Sequence, residues 1–65
     1  MNKSYQFKRI ETGRYEAIDP QTEQVIGIVF GETNNWNIER LDGHIVKVGY
    51  PTKQNAAVGL NGGRL

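Results

Sequence analysis

The sequence contains no cysteine and a single histidine, His44. The missing thiols exclude a disulfide framework and a sulfur-ligated metal site. They also favour a reducing compartment, so a cytoplasmic protein is expected. A metal centre needs three or four ligands, and no His, Asp and Glu side chains stand at ligand spacing; neither metal nor cofactor is expected. His44 has no hydroxyl, thiol or carboxylate partner recognisable by spacing. That leaves it an ordinary residue beside a turn and argues against an enzyme. An excess of one charge is lacking too, since eight Lys/Arg face seven Asp/Glu for a net charge of +1. Such balance speaks against a chain that lives mainly on phosphate contacts. The longest apolar run, Val25 to Phe30, holds Gly27 and is far too short to span a bilayer, so no membrane association is expected. The first residues, MNKSYQFK, lack the apolar stretch of a secretory leader.

What is present suits one small domain. A chain of 65 residues buries roughly 60% of the surface its unfolded form exposes, which leaves a stability margin of only ~3–5 kcal/mol. Residues 1–60 are expected to form that domain, with 61–65 as a loose tail.

The stretch that organises the rest is Asn35 to Tyr50, NWNIERLDGHIVKVGY. Leu41-Asp42-Gly43 reads as a three-residue hairpin loop closed by a left-handed glycine, with Arg40 facing His44. Counting outward, Ile38 meets Val46 and Trp36 meets Val48. One face then carries Trp36, Ile38, Val46, Val48 and Tyr50; the other carries Asn37, Glu39, Ile45 and Lys47. A two-residue turn would mix apolar and charged groups on both faces, so the pattern selects the longer loop.

Upstream, Ser4 to Ile10 alternates, with Tyr5 and Phe7 on one side and Gln6 and Lys8 on the other. Glu11-Thr12-Gly13 is a turn, and Arg14 to Ile18 resumes an extended pattern with Tyr15 and Ala17 together. Asp19-Pro20-Gln21-Thr22 is a proline turn in which Asp19 can accept from the backbone two residues on. Glu23 follows where glycine is the easier choice. The run VIGIVF, apolar on both faces, suits a central strand or a dimer interface. Gly31-Glu32-Thr33-Asn34 is a polar connection. After Pro51, Thr52 is the N-cap of a short helix over residues 53–60, with Ala56, Ala57 and Leu60 as its apolar stripe. The fold class is therefore α+β: an antiparallel four- to five-stranded β-meander with one short C-terminal helix packed on one face.

Two surfaces are candidates for function. The loop of residues 31–35 with Trp36 at its mouth offers Glu32, Asn34, Asn35 and Trp36 to a partner protein, while the register of Trp36 with Ile38 and Val48 equally reads it as a core anchor under the helix. The alternative is a basic stripe of Lys3, Lys8, Arg9 and Arg14, interleaved with Tyr5, Phe7 and Tyr15 and extended by Arg40 and Lys47, which would meet nucleic acid from the sheet.

Two segments, GRYEAIDP (Gly13 to Pro20) and VKVGYPTKQNAA (Val46 to Ala57), carry a likeness. The first resembles a strand of the form Gly-basic-aromatic-x-Ala followed by a turn. The second resembles a last strand, a Gly-aromatic step, a Thr cap and an Ala-rich helix. Both are similar to the three-stranded-sheet-plus-helix DNA-binding domains of plant ethylene-response factors and integrase arm-binding domains. The resemblance implies a sheet whose exposed Arg and Trp residues read the major groove, with Arg14 at a matching position and Arg40 and Lys47 more loosely placed. This chain departs from that pattern in two further strands, a shorter helix and fewer sheet arginines.

The expectation that follows is a small non-catalytic binding protein that occupies the surface of a larger host protein. Accessory and inhibitory proteins of phages and mobile elements offer the analogy. A sheet-type DNA-binding module and a dimer holding a small ligand at its interface are the alternatives. An open strand edge would also allow a homodimer.

Overall fold

This computed structural model describes residues 4–61. The turn residues divide them into strands β1 (Gln6–Glu11), β2 (Arg14–Ile18), β3 (Val25–Glu32), β4 (Asn35–Arg40) and β5 (Ile45–Tyr50), followed by helix α1 (Lys53–Leu60). The strands pair antiparallel in chain order, β1-β2-β3-β4-β5, as one meander. The helix lies on one face, which is the α+β architecture read from the alternation and the turns.

Local chemistry sets each reversal. Asp19 Oδ1 accepts from Gln21 N at 2.7 Å, as the proline turn requires. Glu23 stands at φ 58, the left-handed conformation that marked it as out of place. In the β4–β5 loop, Gly43 N donates to Arg40 O at 2.9 Å and Arg40 N to His44 O at 2.8 Å, with Gly43 at φ 90. Ile38 faces Val46. The three-residue loop is thus the one formed. Between β3 and β4 the connection is narrower than the polar stretch suggests. Glu32 pairs with Asn35, leaving Thr33 and Asn34 as the turn, with Asn34 at φ 64.

The expected pairing of Trp36 with Val48 is corrected. Trp36 faces Tyr50, so the two steps from Trp36 to Ile38 on β4 span four steps on β5, from Val46 to Tyr50. The slack is taken up by a bulge at Gly49, which sits at φ 79 and donates its N–H to Asn37 Oδ1 at 3.2 Å. Only glycine takes that backbone region at no steric cost. Val48, next to the bulge and without a cross-strand partner, is 58% exposed.

The core lies between α1 and the middle of the sheet. Ala17, Val29, Ile38, Ala56, Ala57 and Leu60 are buried, and Tyr5, Phe7, Tyr15, Ile26, Trp36, Val46 and Tyr50 pack around them. Thr52 Oγ1 accepts from Asn55 N at 3.0 Å and caps the helix. Small residues let the helix settle close. A Cβ on Gly27 would lie 2.6 Å from Leu60 Cδ2, and one on Gly59 would collide with the Tyr50 hydroxyl. Asn61, first residue of the expected tail, donates from Nδ2 to Tyr5 Oη at 2.9 Å and ties the helix end to the start of the sheet. Residues 62–65 of that tail lie outside the described residues.

Candidate functional site

Alternation along the strands gives the sheet two unlike faces. On the face without the helix, one row across the strands runs Lys8, Glu16, Ile28, Glu39, Ile45, and the next runs Arg14, Phe30, Asn37. Ile28 and Phe30 are half-buried by neighbours, with no second layer above them among the described residues. Arg14 lies across this face. Its Nη2 is 3.5 Å from Glu39 Oε1 and its Nε is 3.7 Å from Glu11 Oε2. The latter distance is too long for a hydrogen bond, so the buried Nε has none. The Arg14 guanidinium is therefore already held between two carboxylates, and Glu39 has Arg14 as its ion-pair partner.

The six cations expected to face nucleic acid do not form one stripe. Lys8, Arg14 and Lys47 belong to the helix-free face, where Glu16 and Glu39 stand among them. Arg9 pairs with Tyr15, and Arg40 lies two residues beyond Ile38, so alternation sends both toward the helix side. Arg9 Nη2 donates to Thr12 Oγ1 at 2.9 Å. Lys3 lies outside the described residues.

The expected partner-binding residues separate in a similar way. Glu32, Asn34 and Asn35 are exposed at the β3–β4 turn. Trp36 points the other way, half-buried against the core, its ring edge-on to Tyr15 at 5.9 Å. The structure brings a different group of side chains to the surface. Of four exposed large aliphatic side chains among the described residues, three lie on the β4–β5 hairpin: Leu41 (74%), Val48 (58%) and Ile45 (51%). The hairpin's second strand, β5, is an edge of the sheet. Ile45 carried a signal in the sequence, as the lone aliphatic residue on the polar face of its hairpin. Val48 carried none, because the expected register set it on the apolar face.

A second arrangement was also not visible in the sequence. The Lys53 ammonium sits 4.0 Å from the ring centre of Tyr15, 5.5 Å from that of Phe7 and 5.6 Å from that of Trp36. The rings come from β2, β1 and β4, so nothing in their spacing along the chain brings them together.

Comparison with protein-family models, with curated proteins and with solved structures finds no match to this chain. Among the described residues no helix is long and apolar enough to cross a membrane.

Proposed function

We propose that the chain is a non-catalytic protein-binding module that seats the exposed apolar side of its β4–β5 hairpin on a larger protein. The observation that carries this reading is that Ile45 and Val48 are both exposed on the edge strand β5, with Leu41 exposed in the loop that leads into it. Apolar groups beside free backbone donors and acceptors are what strand-addition interfaces use: the backbone gives affinity and the side chains give specificity. Asn35, at the far end of the same hairpin, and its β3 partner Glu32 would supply a polar rim. A cysteine-free chain suits a cytoplasmic setting. There the module would act as an accessory or inhibitory protein by occupying its partner's surface. The carboxylates among the cations of the helix-free face favour a protein over a polyanion.

The test is retention of a partner by the immobilised chain, with and without nuclease, for the natural sequence and for Ile45→Lys with Val48→Lys. A nuclease-resistant partner lost in the double variant supports the edge. Retention that vanishes with nuclease would pass the case to nucleic acid. An equally strong signal from both proteins would remove the hairpin edge from the interface. Sedimentation of the same pair separates a second copy from a foreign partner, because self-association at the edge would disappear with the two lysines.

A further inference from the structure

The Lys53 ammonium is enclosed by three aromatic faces. Among the described residues it forms no ion pair. Such a lining suits a poorly hydrated cation better than the one it holds. A primary ammonium carries three N–H donors that want oxygen acceptors, whereas π faces offer only the ring quadrupole. A methylated ammonium gives up those donors, sheds its water more readily and fills the space between rings with carbon. Phe7, Tyr15, Trp36 and Lys53 are all partly exposed, so the enclosure opens to solvent and the lysine has somewhere to go. Lys53 is the first residue of α1, and its anchoring does not depend on the ammonium: Thr52 caps the helix, and Ala56, Ala57 and Leu60 bury its face.

We propose that Phe7, Tyr15 and Trp36 form a binding site for a methylated ammonium group, and that Lys53 is its built-in competitor. The ligand is a small quaternary ammonium or the methylated side chain of a lysine in a partner; both present the same chemistry to the rings. A tethered ammonium competes at an effective concentration on the order of millimolar. Weak ligands are thereby excluded, and removal of the lysine exposes the site. This inference shares no residue with the hairpin edge and stands or falls apart from it.

Trp36 is the only tryptophan, so its emission reports on the site directly. Choline and a short peptide carrying trimethyl-lysine are titrated into the natural chain and into Lys53→Ser. 3,3-Dimethylbutan-1-ol, the neutral carbon isostere of choline, serves as control. At least one cation should bind Lys53→Ser about tenfold or more tightly than the natural chain, and the isostere should bind less well than the tighter cation. The tighter of the two cations identifies the source of the group. If neither cation changes Trp36 emission in a folded Lys53→Ser chain, or if the isostere binds as well as the tighter cation, the proposal is overturned. A measurement on the natural chain does not depend on the variant folding. The Lys53 ε-methylene protons should be shifted upfield by the rings and move back toward solvent values as the tighter cation is added to saturation. Ordinary shifts at the outset, or shifts that saturating amounts of both cations leave in place, would also overturn it.

Discussion

Strand β1 closes one side of the sheet with Lys8, Arg9 and Glu11 among its six residues, whereas β5 closes the other with Ile45 and Val48 exposed and Lys47 as its one charge. Both edges are interrupted, β1 between Arg9 and Glu11 and β5 at Gly49. The interruption on β1 sets Ile10 out alone between charged neighbours. On β5 the bulge stands next to Val48, which is exposed as Ile45 is. Charged side chains and bulges are both devices that keep a free edge from pairing. The difference teaches that one edge carries both devices, while on the other a bulge stands beside apolar surface that charges would otherwise suppress.

The sharpest way to break this contrast is to make β5 resemble β1. Ile45→Lys with Val48→Lys should weaken partner binding by about a hundredfold or more, as loss of interface anchors does, and leave the urea midpoint near its original value. The mirror change, Lys8→Ala with Arg9→Ala, should leave affinity unchanged; an effect there and none on β5 would reverse the assignment of the edges. Between the edges, Gly27→Ala tests the seam on which the helix rests. The added methyl would press on Leu60 and on the Glu39 carbonyl oxygen, and overpacking of this kind costs about 2 kcal/mol. A urea midpoint equal to that of the natural chain would mean that the helix does not sit on Gly27. Gly49→Ala should cost about 1 kcal/mol through its left-handed backbone. It should also disturb the amide resonances of β5 while leaving those of β1 in place. Smallest of all, Glu39→Gln removes a partly exposed ion pair to Arg14 and should change stability by less than about 1 kcal/mol. A larger loss would show that Arg14 braces the helix-free face more than its exposure implies.

Much of the architecture is legible in the residues themselves. The alternation of Tyr5 with Phe7 and of Tyr15 with Ala17 marked the helix-covered face, and the Asp-Gly step with its flanking register set the central hairpin. Thr52, Ala56, Ala57 and Leu60 marked the helix and its buried stripe. Even the odd placement of Glu23 could be read from its neighbours. The register failed at one point, beyond Val46, because a bulge is a trade between twist and hydrogen bonding across two strands and leaves no period in the sequence. Of the surfaces, the polar residues Glu32, Asn34 and Asn35 are exposed as expected, while Trp36, open to a core or an interface reading, packs against the core. The cations of the proposed nucleic-acid stripe divide between two faces, since neighbours along a strand point in opposite directions.

By itself the sequence determined what repeats at short range: strand period, turn chemistry, the helix cap, and with them a five-strand meander closed by a helix. Those features depend on a few adjacent residues and their backbone preferences. The tertiary structure alone decided that Val48 faces outward at an unpaired edge, that Arg14 lies between Glu11 and Glu39, and that rings from three strands meet around Lys53. Each of these joins residues distant in the chain, and their meeting is set by sheet pairing and helix placement, which no local pattern encodes.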